Sequence, residues 1–293
     1  MENTEVLTKY RSYFEAWLDI RLEQMLQARG IMLCSHEKRR YKPEGGMLYL
    51  PVCAFETDDA LFISCIPEWE NELSDLLMGA TASDATTKMN TYLSEKECNV
   101  CELHRLYGLE SLDMQIDSSR AVALDITHYE KYLAFYNEKS PAIAALTNPH
   151  EWMEQDYKER IERNILYGIL EDEKIVSVTD SETIPSKPEK MMRIGIDTLP
   201  LYRRKGYASM ACAAFIENHL RQGSMPVWEC GVNNIASQNL AEKLGFRYLG
   251  NIFYAATLDM SLLLQEMDKN DVLIGDCVIG DEKLVCVRQN STD

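Results

Sequence analysis

A length of 293 residues allows two domains, and the 46% apolar and 26% charged content is that of an ordinary globular protein. A net charge of −17 argues against nucleic-acid and anionic-membrane partners, which need a basic surface, and is compatible with a cationic substrate such as an amine. No apolar run approaches the roughly 18 residues of a membrane span, and the chain does not start like a signal peptide, so we expect a cytoplasmic protein.

The first 119 residues carry the signals of a mixed α/β domain. In chain order, we expect a helix over residues 4–29, strands over 47–55 and 59–66, a helix over 69–78, a loop over 79–90 and a helix over 95–109. The first helix has a broad apolar stripe with several aromatic side chains, which is typical of a core or a domain interface. No motif in these residues indicates a particular chemistry.

Nine cysteines are scattered along the chain, as expected of reduced thiols. Cys98, Cys101 and His104 form the pattern C-x-x-C-x-x-H, whose spacing could begin a zinc site. No second pair of ligands lies nearby, and the spacing places these side chains on one face of the helix expected there. We therefore predict buried thiols and no bound metal.

A polar segment at residues 115–120 marks the boundary of a second predicted domain over residues 120–260, and residues 261–293 form a C-terminal extension. We expect, in order, a strand at 121–126, helices at 128–137 and 149–163, strands at 166–170 and 174–179, a loop at 180–190, a strand at 193–198, a helix from Gly206, a strand at 227–230, a helix between Asn234 and Gly245, and one or two strands at 247–258. In the extension, the sequence predicts a helix near residues 260–269 and then two strands joined by a turn.

The turn before the helix at Gly206 has the pattern R-x-x-G-x-A and contains Arg203, Arg204, Lys205, Gly206, Tyr207 and Ala208. The first N–H groups of a helix lack partners within it, and the helix dipole adds partial positive charge there. Gly206 lets a ligand approach the backbone closely. These features favour a pyrophosphate site, although a basic surface turn before an amphipathic helix is the plain alternative. Neither a P-loop nor a Rossmann fingerprint occurs in the chain.

A second motif follows at the expected distance. Residues 226–250 give a short strand, the sequence N-x-x-S from Asn234, and then L-A-E-K-L-G-F. Together with the first motif, this order resembles the GNAT superfamily of N-acetyltransferases over residues of about 120 to 260. The two motifs look closest to the branch that includes antibiotic self-resistance enzymes.

The resemblance implies an α/β (α+β) GNAT fold, in which a mixed central sheet is flanked by helices. The N-terminal domain would suit a degenerate GNAT-like repeat that shapes the acceptor end of the site. The resemblance also implies acetyl-CoA as cosubstrate and no metal. It assigns coenzyme contacts to Ile196, Asp197, Thr198, Arg203, Arg204, Lys205, Gly206, Tyr207, Ala208, Ser209 and Asn234. Among these, a backbone N–H of residues 196–198 would polarise the thioester carbonyl. For Asn234, capping of the helix that follows it would by itself explain its presence.

The acid and the base of the reaction are less clear. Many family members have a tyrosine that protonates the coenzyme's sulfur, and the matching position is Ala241 in this chain. Glu229 is the candidate base, with a surface salt bridge as its alternative role. Tyr254 is the candidate acid, with an aromatic core position as the alternative. Asp197 is a further candidate, although strand alternation could turn it away from the cleft.

The sequence therefore predicts an acetyl-CoA-dependent N-acetyltransferase that acts on a primary amine of a small molecule. A catalytically silent acetyl-CoA-binding or sensing module is the alternative, because the usual tyrosine is replaced by Ala241. Neither the acceptor amine nor the oligomeric state follows from the sequence, and a homodimer is left open.

Overall fold

The N-terminal part of the chain is mixed α/β, as expected. The structure is a computed structural model that describes residues 2–41, 48–96, 98–100, 103–112, 116–181, 191–258, 272–277 and 284–288. The elements before residue 119 are α1 (Glu2–Lys9), α2 (Arg11–Leu18), α3 (Leu22–Gln27), β1 (Gly30–Ser35), β2 (Leu48–Glu56), β3 (Ala60–Cys65), α4 (Glu70–Leu77), α5 (Ala82–Glu95), β4 (Asn99–Val100) and β5 (His104–Leu109). The single long helix expected over residues 4–29 is thus three short helices.

Two predictions in this part are wrong. Residues 79–90 were expected to be a loop, but most of them belong to α5, which begins after Thr81. The Thr81 hydroxyl accepts a hydrogen bond from the backbone N–H of Asp84 at 3.2 Å, as part of a capping box. The small, polar residues of this stretch indicated a loop instead. Residues 95–109 were expected to be a helix, but they contain the two strands β4 and β5. Cys98 and His104 therefore do not share a helix face.

The C-terminal part follows the expected order closely. Its elements are β6 (Ala121–Ala123), α6 (Tyr129–Lys139), α7 (Pro141–Thr147), α8 (Pro149–Glu162), β7 (Tyr167–Glu171), β8 (Lys174–Asp180), β9 (Met191–Arg193), β10 (Gly195–Thr198), α9 (Tyr207–Arg221), β11 (Met225–Gly231), α10 (Ile235–Lys243), β12 (Phe246–Leu258), β13 (Val272–Cys277) and β14 (Leu284–Arg288). The last two strands form the expected hairpin. The helix predicted near 260–269 and most of the loop at 180–190 lie outside the described residues.

The central sheet joins strands from both parts of the chain. Within the described residues its order is β1-β3-β2-β12-β5-β11-β9, with β4 also paired to β12, while β10, β8, β7 and β6 form a second sheet. Helices pack on this mixed sheet, so the predicted fold class is confirmed. Strand β5 of the N-terminal part lies between β11 and β12 and is antiparallel to both. The division at residue 119 stays a prediction about folding units, but the two parts share one sheet.

Different helices pack on the two faces of the central sheet. Alternation along β11 directs Val227 into a core formed with the aromatic side chains of α2, whereas Trp228 packs on the other face with side chains of α9 and α10. Tyr10, at the start of α2, fixes this arrangement, because its hydroxyl donates to the Pro226 carbonyl of β11. The same oxygen accepts the Leu109 N–H of β5 at 2.7 Å. Among the described residues, no helix has both the length and the apolarity to cross a bilayer.

The position of β5 predicts that residues 120–293 do not fold alone. Removing residues 1–119 leaves β11 and β12 without the strand that pairs with both, and exposes the apolar face under α2. We expect the truncated chain to show no cooperative urea transition, whereas co-expression with residues 1–119 should restore one. A soluble truncated chain with a sharp transition would contradict this.

Candidate active site

The candidate site begins where two parallel strands diverge. Strands β9 and β11 pair in register from Met191 with Met225 to Arg193 with Val227, and the Ile194 N–H then donates to the Val227 carbonyl at 3.1 Å. Beyond this point β10 pairs with β8, and β11 pairs with β5. The strand expected over residues 193–198 is therefore divided between two sheets. In the described part of the chain, the other edge of β10 has no strand beside it. Such an edge can hydrogen-bond an extended ligand.

A cavity of about 890 Å³ lies beside this divergence. Its walls are residues of β10, of the turn before α9 and of α10: Ile196, Asp197, Thr198, Tyr202, Arg203, Arg204, Gly206, Tyr207, Ala208, Ser209, Asn234, Ala236, Ser237, Asn239, Leu240 and Lys243. All the predicted coenzyme contacts except Lys205 are in this set. The Lys205 ammonium instead lies over the Tyr202 ring, 4.9 Å from its centroid.

The turn before α9 has the geometry of an anion site. Gly206 is the N-cap residue with φ of 83°, and Arg204 also has a left-handed φ of 62°. A Cβ at Gly206 would meet only the Met210 Cε, at 3.8 Å, so backbone conformation rather than crowding favours glycine. Arg203 ties the turn to β10, because its Nε donates to the Thr198 carbonyl at 3.1 Å. The free N–H groups at the start of a helix can thus meet a phosphate beside arginine side chains.

Helix α10 supplies the opposite wall. The Asn234 side chain accepts the Ser237 N–H at 3.1 Å, so it caps the helix as predicted while also lining the cavity. Ala236, Leu240 and Lys243 recur at helical spacing along the same wall, and this spacing could have identified them from the sequence. Ala241 is fully buried in the core behind them.

Glu229 is in a buried ion cluster rather than in a surface salt bridge. Its side chain is 3% exposed, and its Oε1 lies 2.9 Å from the Nδ1 of His104. Its Oε2 accepts a hydrogen bond from the Arg193 guanidinium at 3.2 Å. The three residues come from β11, β5 and β9, which meet where the parallel pairing ends. A buried carboxylate needs such partners because its desolvation is costly.

Tyr254 lies close to the same cluster. It is half-buried and packs against the core under α2, which accords with the aromatic core role considered from the sequence. Tyr13 of α2 is fully buried, and this burial raises its pKa well above the usual value. The charge of Glu229 raises the pKa of Tyr13 further, and Tyr254 acts in the same direction. Helix α2 thus brings a protonated phenol near Glu229.

Asp197 lines the cavity but is not part of the Glu229 cluster, and Cys98 lies outside both. The Asp197 carboxylate pairs with Lys139 of α6 and is half-exposed. Cys98 is buried, Cys101 lies outside the described residues, and His104 is directed to Glu229. Among the described residues, no group of three or more potential ligands could hold a metal ion, and the expected absence of metal stays a prediction.

The sequence does not indicate that His104, Arg193 and Tyr13 belong to this site. A helix was expected over residues 95–109, but residues 104–109 alternate as a strand does. That alternation would have placed His104 on a sheet. No local signal connects His104 with Glu229, because the contact joins residues 125 positions apart.

The sequence model of the GNAT acetyltransferase family matches residues 57–252, more than half of the chain. The chain belongs to this family. It is therefore an acetyltransferase, and its two motifs lie within a family match that also includes β3, β4, β5 and the helices α4 and α5.

The GNAT acetyltransferase is also similar to solved structures, although no curated protein matches it. A GNAT-family acetyltransferase from Colwellia psychrerythraea is 15% identical over 87% of this chain and 97% of its own, with a TM-score of 0.46. A GNAT-family protein from Novosphingobium aromaticivorans is 19% identical over 55% of this chain and 66% of its own, just under two thirds, with a TM-score of 0.40. The aminoglycoside N-acetyltransferase AAC(6')-Iy, in complex with CoA, is 18% identical over 43% of this chain and 90% of its own, with a TM-score of 0.33.

Gly206 and Gly223 allow a matched test of the anion site. Both have left-handed φ values, 83° and 76°, but only Gly206 lines the cavity. Glutamate at either position should destabilise the fold by about 1–2 kcal/mol through backbone strain. Gly206→Glu should also weaken acetyl-CoA binding on the order of 100-fold or more, because a carboxylate would lie beside the phosphates. Calorimetric titration of both variants measures this difference, and equal affinities would rule out the pyrophosphate assignment.

Arg193 should stabilise the fold through the Glu229 carboxylate. Arg193→Met leaves that buried charge with weaker compensation, and we expect a loss of about 2–3 kcal/mol in the free energy of unfolding, less than for a fully buried pair. Arg193→Lys keeps the positive charge and is the control, for which a smaller loss is expected. Urea denaturation measures both variants, and an unchanged midpoint for Arg193→Met would show that the pair adds no stability.

Proposed function

We propose that this acetyltransferase binds acetyl-CoA in the cavity between β10 and α10 and transfers its acetyl group to a primary amine of a small molecule. The observation that carries the proposal is the divergence of β10 from β11 directly beside the glycine-capped start of α9. One end of this cavity can take phosphate groups, and the other offers a strand edge for an extended arm.

The coenzyme would lie with its pyrophosphate against the backbone of residues 204–209 and its pantetheine arm along β10. Peptide-like amides in that arm can pair with the free edge of β10 as an added strand would. A backbone N–H among residues 196–198 would then donate to the thioester carbonyl and stabilise the oxyanion that forms on attack. Arg203, Arg204 and Lys243 supply positive charge along this path.

The proton chemistry would take place at the Glu229 cluster. An alkylamine is an ammonium at neutral pH, with a pKa of about 10, and must lose a proton before its nitrogen can attack. A coenzyme thiol is a better leaving group, with a pKa of about 8.5, so protonation of sulfur is less demanding. We propose that the cluster around Glu229 removes this proton and that Tyr254 has a supporting acid role.

The acceptor is proposed to be a small amine rather than a polyanion. The net charge of −17 draws cations towards the protein and repels nucleic acids and anionic membranes. A homodimer and a cytoplasmic location remain predictions.

Acetyl-CoA turnover against a panel of primary amines tests the proposal. The panel should contain an alkyl diamine, a lysine ester and an aminoglycoside, with release of free coenzyme thiol as the signal. We expect amine-dependent release that is abolished in Gly206→Glu at a coenzyme concentration that saturates the unmodified protein. Tight binding without release on any amine would favour a silent acetyl-CoA-binding module. No binding at all would refute the coenzyme assignment.

A further inference from the structure

The contact between His104 and Glu229 has a chemical direction. An ionised carboxylate only accepts hydrogen bonds, so the 2.9 Å contact with Glu229 Oε1 requires the proton of neutral His104 to be on Nδ1. The other ring nitrogen, Nε2, then carries a lone pair. No described residue hydrogen-bonds this atom, and the His104 side chain is 25% exposed. The imidazole is thus held as a base with an accessible lone pair.

Glu229 itself is poorly arranged to accept a proton. Both carboxylate oxygens have partners, Oε1 with His104 and Oε2 with the Arg193 guanidinium at 3.2 Å, and the side chain is almost fully buried. The Arg193 guanidinium compensates the negative charge of the carboxylate, and the carboxylate in turn holds the His104 ring through Nδ1. The geometry favours Glu229 as the residue that orients a neighbouring base.

His104 lies on the side of the cleft away from the coenzyme cavity. Alternation along β11 puts Glu229 on the same sheet face as Val227, under α2, while Trp228 points to the face of α10. His104 is in register with Gly231, on the half of β11 that has separated from β10. A thioester bound between the diverging strands would meet an acceptor on the His104 side.

We propose that His104 is the general base of this acetyltransferase and that Glu229 is its positioning residue, an inference that rests on the proposed function. The N-terminal part would then contribute a catalytic residue through β5, inserted between two strands of the C-terminal part. This assigns to residues 1–119 a role in the chemistry as well as in the sheet.

His104 Nε2 takes one proton from the acceptor ammonium and leaves a neutral amine. The amine lone pair forms the C–N bond to the thioester carbon, and the carbonyl electrons move to oxygen. Collapse of this intermediate breaks the C–S bond, the sulfur leaves with the electron pair, and it receives the proton that the new amide nitrogen loses. The imidazolium then releases its proton to water.

His104→Asn separates the two roles of the imidazole, because the asparagine amide can still donate to Glu229 but offers no basic nitrogen in place of Nε2. We expect kcat/KM for alkylamines to fall on the order of 100-fold or more, with acetyl-CoA affinity unchanged. Transfer to hydroxylamine, which is largely uncharged at neutral pH, should fall much less. Added imidazole should partly restore the alkylamine rate in His104→Ala.

His128→Asn is the matched control. His128 also contacts a carboxylate through Nδ1, at 2.8 Å from Asp125, but it lies just before α6 and outside the cavity wall. Its substitution should leave the alkylamine rate and the pH profile unchanged. Glu229→Gln should lower kcat and shift the pH profile while coenzyme affinity is kept, as expected for a positioning residue.

Nitrogen NMR of the full-length protein tests the assignment even without an acceptor, and should show Nδ1 protonated and Nε2 unprotonated. A proton on Nε2 in the neutral ring would overturn the proposal, as would an unchanged alkylamine rate in His104→Asn. Failure of the unmodified protein to bind acetyl-CoA would refute the proposed function instead, and therefore the inference with it. The three results are distinguishable because each comes from a separate measurement.

Discussion

The pairing of strand β11 determines the shape of the candidate site. On one side, β5 pairs with β11 from Val227 to Gly231, while on the other side β9 pairs only with its first residues. On its opposite edge β5 keeps the second half of β11 in the central sheet, while β10 pairs with β8 in the second sheet. The two strands therefore separate beside the cavity. A cleft between two parallel strands therefore depends on a strand from the N-terminal part.

The ion cluster at Glu229 lies where the same strands meet. Its carboxylate is buried, and the compensating groups come from β5 and β9, so neither part of the chain can supply the full set alone. Replacement of one partner leaves an uncompensated buried charge. The loss of stability that follows is larger than the net stabilisation that the intact pair provides. Tyr13 adds a protonated phenol from α2. The electrostatics and the strand order thus connect the N-terminal part to the chemistry by separate interactions.

Local features of the candidate site were predictable from the sequence. Gly206 and Asn234 act within a few residues of their own positions, because a helix cap depends mainly on the chain next to it. Residues 79–90 are mostly helical although their small, polar composition is typical of a loop. The capping box at Thr81 and the helical spacing of the buried residues are the local signals of α5. The strand at His104 was misjudged because its apolar positions fit a helix as well as a strand over so short a range.

The sequence by itself determined the family, the fold class and the glycine-capped turn before α9, because these depend on short motifs and on residues close together in the chain. Only the tertiary structure decided the insertion of β5 between β11 and β12, the division of residues 193–198 between two sheets, and the contact of His104 with Glu229. These features depend on pairings between residues a hundred or more positions apart or on which of two neighbours a strand edge selects. Such choices are set by the burial of whole sheet faces, which no local pattern records.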